Sequence, residues 1–238
     1  FLWPLLAPPP AGPTPALRVM LANVHRANGI HRLLPAAVRQ YRPDVLVLLE
    51  VDDGWLRDLA GLRAAYPYRI ARPRDDNFGI ALFSRRPLRR PRLLHLGTPL
   101  PTVAAEVDAG GRLLTVLGTH PPPALSARLA RLQSHQFDEL ARFTATSALP
   151  VLLVGDLNTT PWSGAFRRLV QRGRLANGAR GRRVLMTWPT VAPPLAIPID
   201  HALHTAPLAV TGFRTGPSIG SDHYPIVVDV GWAAQERE

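Results

Sequence analysis

Asp156 and Asn158 stand two residues apart in VLLVGDLNTTPWS (Val151 to Ser163), where four apolar residues run into Gly-Asp-Leu-Asn and a Thr-Thr-Pro turn. In extended chain, side chains two apart face the same way, so this carboxylate and amide can serve one site. Four further polar groups stand at the ends of predicted strands: Asn23, Glu50 and His120 after apolar runs, and the pair Asp222–His223 before one. A sixth, Asp200, lies in PIDHAL. Carboxylates with an amide, histidines at the periphery and no cysteine suit a hard cation such as Mg²⁺ or Mn²⁺. Such cations partner phosphate oxygens, and two histidines can bind a phosphate or donate protons to it.

Each group also has a plain structural reading. Asn23 alone is a strand-end turn residue. Asp156 with Asn158 could form an Asx turn and cap a helix near Pro161. His120, before three prolines, could be solvated. Glu50 resists this treatment, because a carboxylate closing the apolar run Val45–Leu49 costs stability unless it is paired or bound to metal. The recurrence of polar groups at strand ends is the argument, since scaffolds hold reactive groups where strands meet loops.

The elements that must position these residues follow from periodicity. Strands are expected near Arg18–Ala22, over DVLVLLEV, over FGIALFSR, at Val151, and near Ile199–His204, Leu208–Phe213 and Ile226–Val230. VAAEVDAGGRLLTVLGTH predicts a hairpin turning at Gly110-Gly111. Helical spacing in GIHRLLPAAVRQYRPD stops before Pro43, and further helices are expected over Gly54–Ala65, Leu125–Thr144, and WSGAFRRLVQRG closed by Gly173. Hairpins mixed with crossover helices favour two sheets packed face to face with helices outside. No internal repeat is evident.

The 238 residues suffice for one sizeable core, and 46% hydrophobic against 19% charged argues for a packed globule. The formal net charge of +11 suggests an anionic partner. All the basic residues are Arg, however, which matches the bias of a GC-rich genome, so part of the charge is codon composition. The arginine runs SRRPLRRPR and RGRLANGARGRR could grip phosphates or an anionic leaflet, or be solvated loops. Absence of Cys excludes disulfides, thiolate metal sites and Cys nucleophiles. No Gly-rich nucleotide loop or nucleophile-elbow Ser is present. FLWPLL followed by APPPAGPTPA reads as the outer end of a lost membrane helix with a stiff linker, or as a cloning boundary in a disordered leader. His25, His31, His95, His135, His201 and His204 are expected on the surface or in packing, and Asn77 in a polar loop. Trp162 and Trp188 are expected in the core or at a substrate mouth.

In order, LANVH, PDVLVLLEV, GIALFSRRPL, LGTHPPP, GDLNTTPWS, IDHAL and GSDHYPIVVDV resemble the endonuclease/exonuclease/phosphatase (DNase I-like) superfamily, over Leu17 to Val230. The resemblance implies an α/β (α+β) fold, a four-layer α/β/β/α sandwich of two packed mixed β-sheets flanked by helices. It divides the chain into a Pro-rich leader 1–16 that is a possible anchor remnant, a catalytic domain 17–232 and a polar tail 233–238. Carried over, Glu50 is the principal metal ligand, with Asn23 and Asp222 near the metal, Mg²⁺ or Mn²⁺. Asp156 orients or deprotonates the attacking water, and Asn158 positions water and phosphate. His223 contacts a non-bridging oxygen and is oriented by Asp200, while His120 touches the phosphate or protonates the leaving oxygen.

Leu49 stands where DNA-repair members carry Gln, and THPPP resembles the His-containing version of DNase I-like, sphingomyelinase-like and phosphatase-like members. The set is most similar to bacterial membrane-anchored members of uncertain substrate. The implied function is a divalent-metal-dependent phosphoesterase hydrolysing a phosphate ester or pyrophosphate by in-line attack of water, on a lipid or envelope intermediate. The alternatives are a nuclease cleaving DNA or RNA and an inactive phosphate-binding module. The expected partners are a phosphorylated lipid, small molecule or nucleic acid and an anionic membrane surface. A monomer is expected, anchored with its catalytic domain extracytoplasmic, with a cytoplasmic location as the other option.

Overall fold

The computed structural model describes residues 14–233, so the expected anchor remnant Phe1 to Pro10 lies outside the described residues. Twelve strands form two six-stranded sheets. The first sheet contains β1 (Leu17–Asn23), β2 (Val45–Leu49), β3 (Tyr68–Arg72), β4 (Ile80–Ser84), β11 (Leu208–Thr215) and β12 (Ile226–Trp232), in the order β11-β12-β1-β2-β4-β3. The second contains β5 (Arg89–Leu94), β6 (Thr102–Asp108), β7 (Leu113–Thr119), β8 (Val151–Asp156), β9 (Ala176–Asn177) and β10 (Asp200–His204), in the order β5-β6-β7-β8-β10-β9.

Each sheet is built around one parallel pair, β1–β2 and β7–β8, and its other pairs are antiparallel. The parallel pairs are crossed over by helices α1 (Leu33–Tyr41) and α3 (Ala127–Thr146). Helices α2 (Asp53–Asp58) and α4 (Gly164–Arg172) complete the outer layers, giving the four-layer sandwich expected from the sequence.

The pleat explains why β2 reads as unbroken apolar sequence. Val45, Val47 and Leu49 enter the core between the sheets, while Leu46 and Leu48 pack outward with Leu34, Val38 and Trp55. In β8, Leu152 and Val154 face inward, and Val151 and Leu153 meet Phe137, Leu140 and Phe166 of α3 and α4. Both strands are thus covered on two faces, and the first polar residue after each emerges at the same end of the sandwich.

Two details differ from the sequence expectation, while the stop of the first helix before Pro43 is as expected. Helix α1 begins at Leu33 rather than Gly29, because the Asn28 side chain competes for backbone groups: Oδ1 accepts from Ile30 N, and Nδ2 donates to Ile219 O at 3.0 Å. The helix ends at Arg42, left-handed at φ +46°, just before Pro43. The run SRRPLRRPR is not wholly loop, since Arg89–Leu94 forms the edge strand β5 against β6, with a register shift between Arg89 and Arg92 that accommodates Pro91. No helix among the described residues is long and apolar enough to cross a membrane.

Candidate active site

The two sheets repeat one pattern of strand directions, so equivalent strand ends meet across the sandwich. Asn23 ends β1 and His120 follows β7; Glu50 follows β2 and Asp156 ends β8. Asp200 opens β10 directly opposite Asp156 in register, and His223 stands just before β12. Sequence separations of up to two hundred residues collapse onto one cluster, nearly all of it buried.

The focus is a single oxygen. Asp156 Oδ2 accepts from Asn23 Nδ2 at 3.2 Å and lies 3.4 Å from His120 Nε2 and 3.6 Å from His223 Nε2. Its other oxygen accepts from Asn158 N at 2.9 Å. That last bond is the Asx turn of the plain reading, but the helix cap is elsewhere: Ser163 Oγ accepts from Phe166 N to start α4. Asn158, left-handed at φ +49°, is turned back so that Nδ2 donates to Pro121 O at 3.0 Å and lies 3.2 Å from His120 Nε2.

Asn23 also donates Nδ2 to Glu50 Oε1 at 2.9 Å, and its own Oδ1 accepts from His25 N. It therefore presents its amide nitrogen to both carboxylates and ties them together. Glu50 Oε2 accepts a long 3.4 Å bond from Arg26 N. Glu50 is 8% exposed, is left-handed at φ +61°, and has no cationic partner among the described residues.

His223 is held from behind. Nδ1 lies 2.9 Å from Asp200 Oδ2, and His223 N donates to Ser221 Oγ, which in turn donates to Asn23 O. Burial opposes charge on this imidazole, but the Asp200 charge and hydrogen bond, with Asp156 beyond, push its pKa up to about 10. Burial likewise works against the Asp156 carboxylate, and the hydrogen bond and charge of His120, then His223, overcome it and hold its pKa at about 2. His120 is raised as well: burial is outweighed by Asp156 and then Glu50. The site is thus a carboxylate clamped between two imidazoles whose protonated forms it favours.

Asp222 stands at the rim, half-exposed, where Trp188 Nε1 donates to Oδ2 at 2.9 Å and His25 Nδ1 lies 3.6 Å from Oδ1. No hydrogen bond links it to Glu50 among the described residues. Three participants escaped the sequence reading. Thr187 Oγ1 accepts from Asp200 N, Ser221 Oγ bridges as above, and His25, expected in packing, faces Asp222. Trp188 takes the mouth position, and its place inside TWP was the available signal. His201 is a packing residue as expected, buried against Phe166 with Nε2 2.8 Å from Thr159 O.

Two places suit a cation. Ligand atoms of Asp156, Asp200 and His223 lie within 4.8 Å of one another. In that group, however, His223 Nδ1 is already occupied by Asp200. Glu50 has a buried carboxylate with only neutral donors, which is the stronger demand for a positive charge.

A family model described as Endonuclease/Exonuclease/phosphatase family matches residues 20–223. Comparison of the sequence with curated proteins finds no match. Among solved structures, D. rerio TDP2 complexed with single strand DNA product is similar at TM-score 0.77 and 15% identity, over 90% of this chain and 98% of that one. Sphingomyelinase C from Streptomyces griseocarneus is similar at TM-score 0.68 and 20% identity, over 91% and 99%. A mannosyl-6-phosphatase of Bacteroides thetaiotaomicron is similar at TM-score 0.72 and 16% identity, over 91% and 100%.

Proposed function

Since the chain belongs to the endonuclease/exonuclease/phosphatase family, a family of phosphoester hydrolases, we propose that it hydrolyses a phosphate ester by in-line attack of water with a divalent cation bound. The observation that carries this reading is Asp156 Oδ2, one carboxylate oxygen faced by side chains from three strand ends in both sheets. A water accepted there lies beside two imidazoles able to bind the phosphate it attacks. With a pKa of about 2 in the resting site, Asp156 chiefly orients the water, and it takes the proton that the water sheds as the new P–O bond forms.

His223, kept cationic by Asp200, donates Nε2–H to a non-bridging phosphate oxygen and stabilises charge that grows in the transition state. His120 supplies a proton to the leaving oxygen, and Asn158 fixes the water and the phosphate between them. Glu50 would hold the cation, Mg²⁺ or Mn²⁺, with Asn23 and Asp222 beside it. Asn23 would first have to turn its amide oxygen inward. The cation supplies Lewis-acid neutralisation of phosphate charge.

For substrate, we favour a phosphorylated lipid or envelope intermediate, handled by a membrane-associated monomer with its catalytic domain outside the cytoplasm. Support comes from His120 in THPPP and from Leu49 in place of the repair-type Gln. The nuclease reading draws on the net charge of +11.

The test is hydrolysis of bis(p-nitrophenyl) phosphate and p-nitrophenyl phosphate with Mg²⁺ or Mn²⁺, beside EDTA. Asp156→Asn should lower kcat by about 10²-fold or more while the fold persists. Full activity in that variant, or activity indifferent to EDTA, would refute the mechanism. Nicking of supercoiled plasmid under the same conditions would move the substrate to nucleic acid.

A further inference from the structure

Eight large apolar side chains are exposed among the described residues, and their distribution is uneven. Five of them, Leu125, Trp162, Met186, Val191 and Leu195, lie on three loops of the second sheet. These loops follow β7, follow β8 and precede β10, so all three leave the sandwich at the end that carries Asp156. Leu125, Val191 and Leu195 are 84%, 85% and 76% exposed, more than a folded chain needs to leave in water at one mouth.

The third loop is tied to the site. Trp188 Nε1 holds Asp222, and Thr190 donates N–H to Asp222 O at 2.9 Å and Oγ1 to Ser221 O at 3.0 Å. The apolar tip Val191 to Leu195 is therefore fixed beside the rim.

Charge follows the same boundary. The segments 121–135, 157–174 and 178–199 that carry these loops contain nine Arg and no Asp or Glu. Arg128, Arg131, Arg167, Arg168, Arg180 and Arg183 are exposed. On the first sheet's side, Asp52 and Asp53 follow β2 and Asp75 and Asp76 follow β3, outnumbering Arg26, Arg32 and Arg74, the last of which is paired with Asp76. Apolar tips flanked by cations on one side of the mouth fit a surface that is apolar beneath and anionic at its face. A nucleic acid would use the arginines but has no use for aliphatic Leu125, Val191 and Leu195, which cannot stack on bases as aromatics do.

We propose that this arc is a docking surface for an anionic lipid bilayer: its apolar side chains enter the acyl boundary, its arginines meet headgroup phosphates, and the site is thereby presented to a phosphate ester carried by that bilayer. The consequence for turnover rests on the phosphoesterase reading; the docking itself does not.

The test uses the 238-residue chain and flotation with phosphatidylcholine vesicles, with and without phosphatidylglycerol. The wild type should float with the anionic vesicles and only weakly with the neutral ones. The triple variant Leu125→Ser, Val191→Ser, Leu195→Ser should bind anionic vesicles about tenfold or more weakly. Its hydrolysis of soluble bis(p-nitrophenyl) phosphate should stay unchanged, which also reports an intact fold. A wild type that ignores anionic vesicles, or a triple variant that binds them equally well, overturns the proposal. So does binding of a single-stranded oligonucleotide in place of vesicles. Failure of the wild type to hydrolyse the soluble ester would instead count against the phosphoesterase reading and leave the vesicle result to decide the surface.

Discussion

Glu50 sits at φ +61°, a region that costs a residue with a Cβ about 1–2 kcal/mol, and it buries a carboxylate beside the one on Asp156. Both features work against folding and are accounted for if a cation binds there. Glu50→Asn keeps a residue that tolerates the left-handed region and removes the charge. In EDTA it should unfold at the same temperature as the wild type or a few degrees higher, about 2–4 °C per kcal/mol gained. Added Mn²⁺ or Mg²⁺ should raise the wild-type midpoint and leave the variant unmoved. A variant melting far below the wild type in EDTA would show that Glu50 is structural. Asp200 makes the complementary case, since its hydrogen bond to the site runs to His223 Nδ1. In Asp200→Asn, burial loses its main opponent, and the His223 imidazole should titrate well below about 10, nearer its ordinary 6.5, in a metal-free NMR titration. An unmoved titration would mean that Asp156 alone holds the charge.

At the level of strands, Gly155 shows how the backbone fixes the site. A Cβ there would stand 2.3 Å from Thr119 O of the neighbouring strand, so the approach of β7 and β8 requires glycine immediately before Asp156 and one residue from His120. Gly155→Ala should cost about 1–3 kcal/mol in urea unfolding and spread the two strands, with a loss of turnover larger than the stability loss explains. Unchanged stability would mean that the strands part freely. The same strands explain what could be read from sequence. β2, β8 and β12 declare themselves by apolar runs, and each polar residue at their ends is legible because it interrupts such a run. β3 and β5 are exposed edge strands rich in Arg, with no buried face to impose a period, and β9 has only two residues, so none carries a signal. Thr187, Ser221 and His25 were illegible for another reason. They act by single hydrogen bonds or one close approach across the fold, and polar residues in loops have no pattern that marks such contacts.

Across the whole molecule, the buried titrating groups divide the stability curve into windows. His201 is held neutral by burial, with its pKa lowered to about 4 despite the bond to Thr159 O, whereas in the unfolded chain it titrates near 6.5. Between those values the unfolded state binds a proton that the folded state refuses, so stability falls as pH drops from about 6.5 to about 4 and this contribution then levels off. The size is about 3 kcal/mol, at about 1.4 kcal/mol for each pH unit of the window. Asp229, lowered despite its burial by Arg18 and Arg214, and Asp156 at about 2 stabilise above the unfolded carboxylate value and lose that contribution only at lower pH. His223 has the opposite sign: its stabilisation is complete below about 6.5 and is lost as pH rises toward about 10. The four together place maximum stability near pH 6–7 in metal-free buffer. His201→Leu isolates the first window. At pH 7 it should be the less stable chain, having lost the bond to Thr159, and its deficit should shrink by about 3 kcal/mol as urea unfolding is repeated down to pH 4. A deficit that stays constant over that range would mean that His201 takes up its proton in the folded protein, and that the acid limb belongs to the carboxylates.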